Sequence, residues 1–461
     1  MSRSAPELQR TRSRTRSLSG PPPGVVRRAR SWLRFSGPAV AVARVVGVIA
    51  VCGALELALS SPQQTPLARV VIVAVVGLLG LWMPLGVILA GAILSVRTLA
   101  PIDIVGDISG SDLLIMLVIA RLVARMISSD SLPISVPSQW LLLFTLWLWF
   151  TTVIAEESVT PILRLTVYAF LSIVLAAQSS PRTKNVYLIF GGYAVFELIV
   201  SIPAELPGRV LGSTIGDPHQ LSILCLAALA PLLAAARTFT FPGRRLLIAF
   251  LVVGVLLTRT RGAWGALLVL LVVSQMSRLS GKRLVAILVS FATAGLILYG
   301  PVTQAFGLYA QSKSIREETV LRGMRAGIDS PFVGVGWDAE LGLLYAPPNS
   351  QVLTAARTQP FNVFVSVFAF TGIPGLILWV GFLAHLLRLA IARCRAGFLF
   401  LSAFLAFSLS EMTIYAGALG TIIFFVYAGI AQRRPEGGPA SLPSPSGQAS
   451  VPAVASALEP S

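Results

Sequence analysis

About fourteen stretches of this 461-residue chain are apolar for long enough to cross a bilayer, given a hydrocarbon core of ~30 Å. They lie near 39–59, 67–83, 85–101, 112–127, 138–155, 161–178, 185–202, 219–236, 244–258, 262–277, 283–300, 361–384, 397–411 and 413–431. Each run is continuously apolar. A membrane-spanning β-barrel would alternate apolar and polar positions instead, so the pattern predicts helices. Two boundaries are weakly marked. Residues 67–101 are broken only by Trp82-Met83-Pro84, and 397–431 only near Glu411. The expectation is an all-α, polytopic integral membrane helix bundle of about 12–14 transmembrane helices. Either even count returns both termini to one side.

The polar intervals divide the chain further. Residues 39–300 form a bundle of about eleven helices, and 361–431 one of about three. Between them, 301–360 is the only connection large enough to hold structure of its own, and such loops are usually functional. Within it, SKSIREETVLRGMRAGIDS (312–330) reads as a short amphipathic helix stopped by Pro331. Residues 1–38 are Arg-rich and 432–461 are rich in Pro, Gly, Ser and Ala. Both are expected to be disordered.

Composition sharpens this picture. The chain is 55% hydrophobic and 12% charged, with mean hydropathy +0.81. A soluble domain carries about 25% charged residues. The formal net charge of +17 would suit a nucleic-acid binder, but this hydropathy excludes one. Sorting the basic residues by side is more informative. Segment 1–38 and alternate connections (Arg121/Arg125, Arg182/Lys184, Arg237/Arg244/Arg245, Arg278/Lys282/Arg283, Arg388/Arg393/Arg395, Arg433/Arg434) hold 24 of the 36 Lys and Arg. By the positive-inside rule that side is the cytoplasm. The reading is thus a multi-pass protein of the cytoplasmic (inner) membrane, with both termini and the Arg-rich arm inside, the arm serving as a topology signal or as a contact for anionic lipids. The 301–360 loop is then extracytoplasmic.

Basic residues on the outer side run against this bias and need a local reason. In LLTRTRGAWGALLVL, Arg259 and Arg261 sit at the outward junction of two tightly joined helices. Two guanidiniums so close repel each other unless an anion lies between them, and the Arg fork binds phosphate oxygens in bidentate fashion. Arg164 lies about a turn inside the outer boundary of its span, with Glu197 in the next span as a candidate partner. An intramembrane ionisable residue is a functional-site candidate by default. Glu411, at the outer end of a span, can point toward the same outer site as Arg259 and Arg261. The pair Glu156-Glu157 reads as a solvated turn, the Trp147/Trp149 pair as packing, and Gly372-Ile373-Pro374-Gly375 as a kink or turn. No disulfide framework follows from Cys52, Cys225 and Cys394.

These residues resemble a known family. LLTRTRGAWGALLVL is similar to the "TRSRGAW" junction of the O-antigen ligase and O-antigen polymerase superfamily. RVLGSTIGDPHQLSILCLAALAPLLAA (209–235) resembles its "G-x-x-x-N-P-N" turn leading into a span. Arg316 followed by PFVGVGWD (331–338) resembles its "R…PLLGVG" outer-loop motif, and FNVFVSVFAFTGIPGLILW (361–379) its "HNxFLxxLxExGIPGLL" block. The resemblance covers about 209–380.

It implies a metal-independent glycosyltransferase without cofactors, acting at the outer face of the cytoplasmic membrane in surface polysaccharide biosynthesis. Such enzymes move a glycan from a polyprenyl-diphosphate carrier to an acceptor hydroxyl on a glycan or glycolipid. Carried over, Arg259, Arg261 and Arg316 hold the diphosphate. Arg322 and Arg325, farther along the loop helix, are added on helical geometry, and Arg164 as the intramembrane candidate. The chain departs from the family where ligases carry His-Asn, because it has Phe361-Asn362. Its outward histidine is His219, beside Asp217, and a carboxylate next to an imidazole suits a general base. Other partners implied are membrane lipids and a polysaccharide assembly complex. Two other functions fit the same pattern, an exporter of a lipid-linked sugar or small solute, and a non-catalytic scaffold.

Overall fold

Most of the apolar runs are helices whose ends fall within a few residues of the sequence reading. The computed structural model describes residues 110–127, 135–177, 183–206, 208, 210–212, 215–234, 243–276, 311–337, 339, 341, 343–345, 354–356, 360–411, 413–414 and 419–433. The runs expected at 39–59, 67–83, 85–101 and 283–300, and the two terminal segments, lie outside the described residues. In chain order the elements are α1 (Gly110–Ile127), α2 (Val136–Ile154), α3 (Thr160–Ala177), α4 (Thr183–Glu205), α5 (Pro218–Ala234), α6 (Arg244–Leu257), α7 (Arg261–Gln275), α8 (Gln311–Asp329), β1 (Leu343–Tyr345), β2 (Thr354–Ala356), α9 (Val363–Arg393), α10 (Arg395–Ser408) and α11 (Leu419–Gln432). The fold is a helical membrane bundle. α8 is the loop helix, ending two residues before Pro331. The β1–β2 hairpin, antiparallel with Leu344 opposite Ala355, was not foreseen, because three-residue strands are too short to show an alternation.

Burial sorts the helices. α2, α3, α9 and residues 186–205 of α4 are long and apolar enough to cross a membrane, whereas α5, α7, α10 and α11 are apolar but only 14–17 residues long. α5 is buried on all sides from Gln220 to Leu232, and α11 along its whole length. A helix apolar all round belongs at the centre of a bundle. α5 packs against α4, α6, α7, α10 and α11, and α11 against α3, α5, α9 and α10. The peripheral helices turn large apolar side chains outward, among them Leu143, Leu146 and Val153 of α2, Ile199 of α4 and Ile377 of α9. This surface suits lipid.

Four arginines of the basic connections have a second task. A helix leaves its last carbonyls without intrahelical donors, and each of these arginines supplies one to a neighbouring helix. Arg244 Nε donates to Leu232 O of α5 at 3.1 Å, and Arg395 Nη2 to Ser274 O of α7 at 2.8 Å. Arg393 Nη1 reaches Gln432 O of α11 at 3.1 Å, and Arg433 Nε reaches Leu175 O of α3 at 2.9 Å. All four caps lie at the same end of the bundle.

At the opposite end the loop locks onto a break in α9. The helix is interrupted at Gly372 (φ 68°, ψ −170°), a left-handed conformation natural to glycine. Pro374 follows and has no N–H to give. The groups freed at Ala369, Phe370, Thr371 and Ile373 find partners elsewhere. Val335 N donates to Ala369 O at 2.9 Å and Gly336 N to Phe370 O at 3.2 Å, while Ile373 N turns to Pro331 O at 2.7 Å. Trp147 Nε1 of α2 donates to Thr371 O at 2.8 Å. The PFVGVGW segment and the GIPG break are thus two halves of one joint. Trp337 plugs it, buried edge-on against Phe370, with its backbone N–H on Thr152 Oγ1 at 3.2 Å. Irregular backbone at membrane depth persists only where protein satisfies it in this way.

Candidate functional site

The junction between α6 and α7 turns the chain back in three residues. Thr258 ends α6, and its hydroxyl donates to Val255 O at 2.7 Å. Arg259 then adopts φ 50°, the position beyond a helix end where glycine is usual. Thr260 is extended (φ −100°, ψ 113°) and starts α7, with Arg261 as its first residue. The last carbonyls of α6 are fully engaged. Leu256 O accepts from Arg259 N at 3.1 Å and from Trp264 Nε1 at 3.3 Å, and Leu257 O accepts from Val210 N at 3.2 Å. A left-handed arginine costs roughly 1–2 kcal/mol, and this over-determined turn holds it there. The strain lies at one of the two arginines that the sequence marked.

Gly262 brings this junction against the end of α10. A Cβ at that position would run into the Ser410 hydroxyl and lie 2.8 Å from the Phe407 ring. α7 and α10 therefore approach backbone to side chain, and the junction that carries Arg259 and Arg261 reaches the Phe407–Ser410 end of α10. A hydrogen bond of 2.8 Å between Ser222 and Thr258 ties the first turns of α5 to the same junction.

Glu411 is the centre of the cluster. It is 4% exposed, and its Oε1 lies 2.6 Å from Arg316 Nη1 and 3.5 Å from His219 Nδ1. Arg316 also donates to Ser410 O at 3.1 Å. Its guanidinium lies over the Phe361 ring, 4.9 Å from the centroid, in cation–π geometry. The His219 ring stacks on Phe407 with centroids 6.1 Å apart. Asp217 Oδ1 accepts the backbone N–H of His219 at 2.8 Å, so that carboxylate serves the N-terminus of α5. Asn362 caps α9 by accepting from Phe364 N and Val365 N at 2.9 and 3.2 Å, and its amide donates to Leu409 O at 3.0 Å.

Arg316 of α8 and His219 of α5 thus meet on one carboxylate at the end of α10. Residues 246–380 match a family model described as O-antigen ligase. This stretch is similar to O-antigen ligases. It spans α6, α7, the loop helix α8, the joint at Gly372 and the first half of α9. Arg259, Arg261, Arg316, Arg322 and Phe361 lie inside the matched stretch, whereas His219 and Glu411 come from outside it. No curated protein matches the chain.

The remaining candidates fall elsewhere. Arg322 pairs with Glu318, one turn back on α8, at 2.6 Å, and its Nη1 lies 3.4 Å from Leu341 O. It faces the hairpin side of the loop rather than the α9 face, where Gly323 and Gly327 stack on Pro360 and Phe368. Arg325 is exposed. Arg164 is on α3, which packs on α1, α2 and α11, none of which carries the cluster. Glu197 is fully buried beside the Gly212 turn. Glu411 and Phe361 are the residues that sequence reasoning undervalued. An isolated Glu at a span end gives no sign of its partner, and Arg316 is 95 positions away in sequence.

Proposed function

We propose that this protein is a membrane glycosyltransferase of the O-antigen ligase and polymerase type. It transfers a glycan from a polyprenyl-diphosphate carrier to an acceptor hydroxyl at the outer face of the cytoplasmic membrane. The observation that carries the reading is that Gly262, next to Arg261, packs on Ser410, the neighbour of the Arg316–Glu411 pair, within and beside the stretch similar to O-antigen ligases. The C–O bond between the sugar and the diphosphate breaks as the bond to the acceptor oxygen forms, and the electron pair leaves with the diphosphate. Fixed cations placed where that charge develops stabilise the transition state. Arg259 and Arg261 are the principal diphosphate ligands. Arg316, tied to Glu411, positions its guanidinium on the same side, and Arg322 guards the loop.

An exporter would need ionisable side chains along a path near mid-membrane. The paired charges of this site gather at the bundle end, which supports the transferase. The test is turnover of carrier-linked oligosaccharide by the full chain in proteoliposomes. Arg259→Ala and Arg261→Ala should each lower the rate about 10²–10³-fold, the loss typical for removing one preorganised stabiliser. Unchanged yield and product length in both variants would overturn the assignment.

A further inference from the structure

The ligase-type histidine is absent at position 361, and the geometry points to its replacement. We propose that His219 is the base that activates the acceptor hydroxyl, oriented by Glu411 rather than by the adjacent Asp217. The inference deepens the transferase reading and rests on it.

Neutral imidazole carries a proton on one nitrogen and a lone pair on the other, and the tautomer is set by the partner of the protonated nitrogen. The Nδ1 edge of His219 faces Glu411 Oε1 at 3.5 Å. A carboxylate there favours the Nδ1–H tautomer and leaves Nε2 with the lone pair. The separation is long for a hydrogen bond, as catalytic contacts often are before substrate binds. Arg316 pairs with the same oxygen at 2.6 Å, and the stacked Phe407 fixes the plane of the ring. His219 retains 27% side-chain exposure while Glu411 is at 5%, so the imidazole has an open face and its orienting group does not.

The residues around the dyad agree with this division. Asp217 already accepts the backbone N–H of His219. Phe361, at the position of the ligase histidine, lies over Arg316 and so supports the ion pair from its far side. The charged groups near the imidazole are Glu411 and Arg316, Asp217 at the head of its own helix, and Arg259 and Arg261 on the junction bonded to α5. In the step, the acceptor O–H proton passes to His219 Nε2 and the oxygen attacks the anomeric carbon. The bond to the diphosphate oxygen breaks, and its electron pair leaves with the diphosphate. The imidazolium, stabilised by Glu411, then releases its proton to water.

The test uses the full chain in proteoliposomes with carrier-linked oligosaccharide and acceptor, following rate against pH and, separately, donor retention. His219→Gln should lower kcat at least 100-fold and leave donor retention and thermal stability unchanged. Glu411→Gln should lower kcat about tenfold or more. It should also move the acid limb of the pH profile to lower pH, because removing a negative neighbour makes the imidazolium a stronger acid. If His219→Gln works at the wild-type rate, or if Glu411→Gln leaves the acid limb in place, the dyad is overturned while the transferase stands. If the unaltered chain transfers nothing, the function falls and the dyad falls with it.

Discussion

Arg259 is the residue where local cost and proposed role separate most clearly. Its left-handed backbone would be relaxed by glycine, which visits that region freely. Arg259→Gly should therefore stabilise the fold by roughly 1 kcal/mol while transfer falls by two orders of magnitude or more. Thermal melting in detergent and the transfer assay measure the two effects independently. A variant that is both less stable and less active would mean the arginine is structural. Gly262 makes the opposite prediction. Gly262→Ala pushes a methyl into Ser410 and Phe407, and overpacking of this kind costs about 1–3 kcal/mol, read as a lowered melting temperature. The arginines themselves were legible in the sequence because a doublet on the sparsely basic side has no generic explanation. The Glu411 connection was not, since an ion pair between α8 and the end of α10 depends on how Gly262 lets α7 meet α10.

At the scale of elements, the joint between the outer loop and α9 links two motifs that the sequence presented as separate strings. The GIPG kink was readable from Gly372 and Pro374. Its partner was not, because backbone hydrogen bonds to Val335 and Gly336 leave no compositional trace. The Trp147/Trp149 pair, read as packing, turns out to donate as well as pack, with Trp147 on Thr371 O and Trp149 on Thr166 Oγ1 at 2.9 Å. Trp147→Phe keeps the ring and removes the donor. It should destabilise by about 1–3 kcal/mol, the cost of leaving a buried acceptor unsatisfied. In a double-mutant cycle with a variant that loosens the 331–336 loop, the two effects should not add, because both act on one break. Additive losses would show that loop and kink are independent.

For the whole molecule, the basic connections were read as an orientation signal, and four of their arginines also cap helix ends. Both functions place them at one end of the bundle, with the arginine–glutamate cluster at the other. Single cysteines placed at exposed Arg325 on the loop helix and in the 432–461 tail should label from opposite faces of intact cells. Labelling of Arg325→Cys only after the membrane is opened would reverse the proposed orientation. Arg395→Ala should cost about 1 kcal/mol or more by freeing Ser274 O, and a melt would register it independently of topology.

The short central helices have a consequence for where the chemistry takes place. Helices of 14–17 residues reach about 21–26 Å at 1.5 Å per residue, against ~30 Å of hydrocarbon. Arginine caps hold the ends of α5, α7 and α11 away from Glu411, so the shortfall is expected at the end that carries Glu411. The cluster would then lie several ångströms below the level that a full-length span reaches. A bilayer that thins to meet it, or a recess that admits headgroup-level water, would deliver a membrane-bound substrate to the arginines without lifting its hydrocarbon tail out of the lipid.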